Sequence, residues 1–472
     1  MKRRTFLLLS TVAASTLLIG RNKILGNTTE NFKTKLFIPP LLEGKKIKGV
    51  YNYNLNIQRA KHSFFSDRLT ETYAINGSYL GPTLRLVDGE EVSINYINNL
   101  DESTTMHGHG MHLPANMDGS PHQSINPKKS WSARYRVNQR ACTNWYHPHT
   151  EGKTAEHVYK GLAGILIIED KESQALALPK EYGVDDIPLV LQDRFFSTKR
   201  EIVYAPNMMQ SMMGYKGDTF VTNGVINPSL EVQAKEIRFR LLNGSNSTVY
   251  NLAFSDNREF SQIATDNSFL EKPVSLTSVR LSPGERAEIV VDLSDSLGEN
   301  IYLEELTQGK AFLKIDISKQ ALNPTILPQT LTSLEKYLPS EAVNSRSFTL
   351  SGRMGNLFIN NKTMDMNRID ERVSLNKVEI WEIHNQKMMM MGMEHNFHIH
   401  GTHFMVLERN GSASNVAQNE KGYKDTVYLA PGDSVKLIVK MTDYRDSKVP
   451  YMYHCHFLEH EDRGMMGQFL VT

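Results

Sequence analysis

The run His454-Cys455-His456-Phe457-Leu458-Glu459-His460, followed shortly by Met465, sets two imidazoles around a cysteine and adds a third imidazole and a thioether. Side chains alternate along extended chain, so His454 and His456 share one face of a strand and Cys455 takes the other. Two sites therefore lie back to back across one strand, joined through the backbone of Cys455. A thiolate with imidazole and thioether partners is the soft donor set of electron-transfer copper sites.

Outward from this run the chain holds three more pairs of the same spacing, His107/His109, His147/His149 and His398/His400, so eight of its 16 histidines fall in His-X-His pairs. Zinc sites close at about four ligands and mononuclear iron sites at about three from the protein, so eight imidazoles in one cavity imply several metals together. His395 completes the other set: His395, Cys455, His460 and Met465 give two imidazoles, a thiolate and a thioether.

Segments 91–97, 164–168, 237–242, 288–293 and 434–439 are rich in Val, Ile and other strand formers and lie between Gly, Pro, Asn and Asp clusters. The class expected is all-β, built as consecutive Greek-key sandwiches or barrels. With 472 residues and about 100 to 200 per domain, three units fit. Breaks in pattern at 169–187 and 319–346 place the units at 31–172, 185–320 and 345–472. The span 185–320 contains no histidine, which makes the middle unit a spacer or a lid.

Lys and Arg number 53 against 52 Asp and Glu, so the charge points to neither nucleic acid nor a membrane surface, and small partners fit better. Residues 1–26 carry Lys2, Arg3 and Arg4 ahead of an apolar run from Phe6 to Gly20, the form of a leader. The paired arginines resemble a twin-arginine export signal, which implies a folded, periplasmic product with no membrane anchor after the leader is removed. Only Cys142 and Cys455 are present, so an exported chain uses no disulfide framework and Cys455 serves another purpose.

His107-Gly108-His109-Gly110, His147-Pro148-His149, His395-Asn396-Phe397-His398-Ile399-His400 and the run from His454 to His460 with Met465 resemble, in order, the four copper motifs of multicopper oxidases. Within that family the chain is most similar to bacterial periplasmic laccase-like enzymes and cuprous oxidases, including the close Glu459-His460-Glu461-Asp462-Arg463-Gly464-Met465-Met466. The resemblance implies three consecutive cupredoxin-like domains, a monomer, and four copper ions. His107 and His398 would hold the type 2 copper. His109, His147, His149, His400, His454 and His456 would hold the type 3 pair, and His395, Cys455, His460 and Met465 the type 1 copper. Dioxygen would be the acceptor, a small reductant such as Cu(I), another metal ion or a phenol the donor, and Asp118 and Glu461 the proton donors. The sequence departs from the family pattern at Gly108, where a Trp is common, and at His112 and Asn116, where cuprous oxidases often have acids.

A single His-X-His pair is more often two satisfied polar residues on a strand than a metal site; four pairs and the cysteine motif reverse that weighting. His62, His112, His122, His157, His384 and His403 fall outside the pattern, and Cys142 reads as a small buried thiol. Methionines cluster at 208–209, 212–213 and 388–393. On an extended approach to His395, Met391 and Met393 would share its face as soft ligands for Cu(I), against the plainer reading of core packing. Cuprous oxidases commonly carry an aspartate where Met391 stands, and a long Met-rich insertion that 352–366 does not provide. Two rival functions are a periplasmic copper-binding or division-associated relative without turnover, which lacks copper ligands, and a two-domain copper nitrite reductase, which uses fewer histidines.

Overall fold

The structure is a computed structural model that describes residues 31–321, 326–353, 355–387 and 392–472; the leader expected at 1–26 and Met391 lie outside the described residues. Three two-sheet sandwiches follow one another along the chain, and the described helices are all short, none long and apolar enough to cross a membrane.

In the first sandwich one sheet runs Leu41–Leu42, Thr83–Val87, Gly164–Glu169, Cys142–His147, His107–His109, and the other Lys45–Ile47, Val50–Phe65, Glu91–Asn98, Ser130–Arg136, with Arg68–Ile75 against Val50–Phe65. Glu91–Asn98 shows why its sequence makes a strand: Val92, Ile94 and Tyr96 are buried while Glu91, Ser93 and Asn95 face outward. That alternation covers one face and wets the other. The third sandwich repeats the plan, with Asn356–Ile359, Ala342–Arg353, Val378–Asn385, Ser434–Lys440 and Phe404–Arg409 facing Glu371–Val373, Met466–Val471, Asp446–His454, His395–Ile399 and Thr426–Leu429. Phe348, Trp381, Phe397 and Phe469 fill its core.

The strands Cys142–His147 and His395–Ile399 do not alternate; every residue in them is buried. Each faces its own core on one side and another domain on the other. Phe64, Tyr79, Trp145, Ile165, Val190 and Leu242 form the apolar seam between the first and second sandwiches.

The N-terminal strand Thr34–Lys35 pairs in parallel with Pro228–Ala234, and Leu36 is buried in the second core, so the chain touches the second sandwich before it builds the first. The middle sandwich is no passive spacer either. Gly284 packs on the ring of His456, where an added Cβ would lie 3.0 Å from Nδ1.

Candidate metal centre

Strand register brings the pairs together. His107 stands opposite His147 and His109 opposite Trp145 in the first sandwich, and His398 stands opposite His454 in the third. Only His107 and His109 both lie within a strand. His149, His400 and His456 come one or two residues after their strands end. They project into the space between the first and third sandwiches, where His149 Nε2 lies 3.2 Å from His454 Nε2.

Among the described residues five groups of donor atoms result, each within 4.8 Å: His107, His109 and His398; His109, His147 and His456; His149, His400 and His454; His395, Cys455 and His460; and, with a carboxylate, His107, Asp118 and His400. His400 Nε2 lies 3.0 Å from His454 Nε2, and His147 Nε2 lies 3.4 Å from both His109 Nδ1 and His456 Nε2. Just beyond the end of the strand Asp446–His454, Cys455 Sγ lies 3.5 Å from Nδ1 of both His395 and His460. Met465 is fully buried, and its backbone pairs with Cys455 and His460.

The outer nitrogens fix which atom of each ring faces inward. Nδ1 of His107 donates to the Asp118 carbonyl at 2.7 Å, Nδ1 of His398 to the Asp425 carbonyl at 2.9 Å, and Nδ1 of His147 to the Pro148 carbonyl at 2.7 Å. Nε2 of His107 and of His398 is then a buried lone pair without a hydrogen-bond partner. Such an orphan is costly unless a cation takes it. Burial first, and neighbouring imidazoles second, hold His109, His147, His149, His454 and His456 well below the ordinary histidine value, so the rings are neutral donors. Burial pushes the Cys455 thiol up to about 12, so its thiolate requires a bound cation. These donor sets fit copper.

Asp118 and Glu461 back this cavity. Asp118 Oδ2 accepts from His400 Nδ1 at 2.7 Å; burial opposes its charge, yet His400 and His107 draw the carboxyl well below its usual range. Glu461 approaches His149 Nδ1 at 3.3 Å and His454 Nδ1 at 3.4 Å, and burial raises its carboxyl well above the usual value. Met393 is buried in the third core, with its methyl against Gly352, and its carbonyl accepts from Asn385 Nδ2 at 2.8 Å.

Sequence profiles described as Multicopper oxidase match residues 56–173, 185–310 and 335–472. The chain is 40% identical over 441 residues to "Multicopper oxidase mco" of Staphylococcus haemolyticus, covering 93% of each. The chain belongs to the multicopper oxidase family. A laccase from Pediococcus acidilactici superposes with a TM-score of 0.87 at 34% identity, covering 93% of each chain. "Cell division protein FtsP" of Xenorhabdus nematophila is 35% identical, covering 93% of this chain and 92% of its own.

Several residues of this multicopper oxidase carry weight at the site without being metal ligands themselves. Asn396 Oδ1 accepts from the His456 N–H at 2.6 Å, and its Nδ2 donates to the Pro283 carbonyl at 2.8 Å. Glu459, buried beside His460, accepts from Asn246 Nδ2 at 2.8 Å, from the Tyr215 N–H at 3.2 Å and from Ser247. Trp145 stacks on His147 with centroids 4.0 Å apart. Asp425 accepts from His109 Nε2 at 2.9 Å. Asn396, Glu459 and Asp425 reach partners 60 to 316 residues away, which no local pattern signals, and Trp145 lies two residues from His147 as one more apolar strand residue.

Proposed function

We propose that the chain couples one-electron oxidation of a small reductant, Cu(I) or a phenol, to the four-electron reduction of dioxygen to water. Copper held by its residues supplies electron acceptance at one site and pooled reduction of dioxygen at the other. His395, Cys455, His460 and Met465 are assigned to type 1 copper, His107 and His398 to type 2, and the six remaining paired histidines to the type 3 pair, four ions in all. The observation that carries this is that the consecutive residues His454, Cys455 and His456, at and just past the end of one strand, each enter a separate donor group.

The residues divide the remaining work. Asp118 and Glu461, both buried, sit on the outer nitrogens of cluster imidazoles, where each is placed to pass a proton to or from those rings. Asn396 ties His456 to the Pro283 carbonyl and so braces the ligand strand on the middle sandwich. We place the mature protein in the periplasm after twin-arginine export, as a monomer, with copper tolerance as its physiological role. The paired arginines and the likeness to cuprous oxidases support that placement.

Oxygen uptake by the copper-loaded mature protein, with Cu(I) and a phenol compared, tests the reading. Uptake should fall to background in Cys455→Ser. Full copper occupancy and a blue band without uptake from any donor would favour the second reading, a periplasmic copper-binding or division-associated protein without turnover. The likeness to FtsP favours that reading, and the complete, converging ligand set weighs against it.

A further inference from the structure

Seven of the eight paired imidazoles can present Nε2 to the cavity; His109 is turned the other way. Its Nε2 is bound to Asp425 Oδ1 at 2.9 Å and its Nδ1 faces His147 Nε2 at 3.4 Å. A neutral imidazole has one N–H and one lone pair, so the group at Nε2 decides whether Nδ1 can act as a donor to metal. A carboxylate accepts only, and therefore holds the proton on Nε2.

Asp425 is fully buried, and a bare carboxylate there would be strongly disfavoured. Arg286, of the middle sandwich and also fully buried, answers it with both ends of its fork: Nη1 to Oδ1 at 2.8 Å and Nη2 to Oδ2 at 2.6 Å. The same guanidinium donates to the Thr143 carbonyl at 2.9 Å, to Asn144 Oδ1 at 2.7 Å, and to the Gly284 carbonyl at 3.0 Å. It thus touches all three sandwiches at once. Gly110, next to His109, has φ +78°, and a Cβ there would lie 2.5 Å from Asp425 Oδ2 and 2.6 Å from Arg286 Nη2. The backbone leaves room for the pair.

We propose that Arg286 is a positioning residue for dioxygen reduction: through Asp425 it fixes the His109 tautomer that offers Nδ1 to the copper cluster, and it joins the middle sandwich to that cluster. The inference rests on the copper assignment given under the proposed function. Lysine would preserve the charge but not the two-pronged geometry, so Arg286→Lys separates position from charge.

Copper-loaded wild type, Arg286→Lys and Asp425→Asn are compared by thermal melt, by the blue absorbance of the Cys455 site, by the type 2 EPR signal and by copper loss to a chelator. Both variants should melt near wild type and keep the blue absorbance. Their EPR should gain signal beside that of type 2, because loosening His109 uncouples the type 3 pair to which it is assigned, and cluster copper should be lost about 10- to 100-fold more readily. A folded variant with wild-type EPR and wild-type copper retention overturns the proposal. So does parallel loss of copper from both sites, or unfolding of both variants, since each of these marks a purely structural role. If wild type itself shows no type 2 signal, the copper assignment fails and this inference with it; wild-type signals matched by the variants defeat the inference alone.

Discussion

His460 donates its Nε2–H to the carbonyl of Met212 at 2.9 Å. His460 is 1% exposed, and Met212 and Met213, on the short helix Met208–Met213 of the middle sandwich, pack against the third core. The outer edge of the imidazole proposed for type 1 copper is therefore covered by backbone from another domain. A planar phenol can meet that edge only if the helix moves.

Replacing residues 208–213 with a short Gly/Ser linker should accordingly favour phenols. The expected change is a lower KM and a rise in kcat/KM for a phenolic donor of about tenfold, or about 1.4 kcal/mol. Oxidation of Cu(I) should not improve. Steady-state oxygen uptake with the two donors checks this, and equal changes for both would show that the helix does not select.

Glu461→Gln keeps the size of the side chain and removes its exchangeable carboxyl proton. If Glu461 relays protons into the cavity, oxygen uptake should fall by about 10²-fold while copper content and blue absorbance persist. Asp118→Asn should behave differently, because the Asp118 carboxylate also holds His400 Nδ1. It should cost copper retention as well as rate. Metal analysis beside oxygen-electrode rates distinguishes the two outcomes.

His157 offers a pH test away from the proposed copper ligands. Its ring is fully buried, near Glu102, Glu156 and Lys153, and burial lowers it to about 4 despite the nearby carboxylates. Between about 4 and the unfolded value of about 6.5 the unfolded chain holds a proton that the folded protein lacks, so stability is lost as pH falls through that window. The loss is on the order of 3 kcal/mol and should be complete near pH 4. Urea unfolding of His157→Gln at pH 4.5 and at pH 7 should show a smaller difference than wild type. An unchanged difference would remove His157 from the account.

How much of this was legible in the chain follows from the physics of each feature. Metal chemistry demands particular residue types at short spacing, so the four histidine pairs, Cys455 and His460 announce themselves. Strand alternation in segments such as Glu91–Asn98 likewise gives the all-β class. Asp425 and Arg286 do not, because Asp425 meets His109 across 316 residues and each is a single polar residue without a periodic pattern. The absence of histidine from 185–320 suggested a spacer or lid, yet that domain acts through Gly284, Arg286 and the Met212 carbonyl, contributions that carry no metal-ligand signature. The pairing of Thr34–Lys35 with Pro228–Ala234 is hidden for the same reason: a two-residue strand has no readable alternation.

The Asp118-Gly119 turn gives a last test, because it couples a backbone requirement to one part of the cluster. Gly119 has φ +75°, and a Cβ there would sit 1.8 Å from the Met106 carbonyl oxygen. Alanine must therefore displace the turn, and with it the Asp118 carbonyl that holds His107 Nδ1 at 2.7 Å. The unfavourable backbone conformation costs about 1 kcal/mol and the displaced turn adds to it, so Gly119→Ala should melt at least about 2–4 °C below wild type. His107 would lose the acceptor that orients it, while Cys455, His395 and His460, which make no contact with that turn through this bond, would keep their arrangement. The variant should keep its blue absorbance and lose type 2 copper preferentially, as read by EPR on samples of known copper content. Equal loss at both sites would mean that the turn supports the domain as a whole and not the His107 ligand in particular.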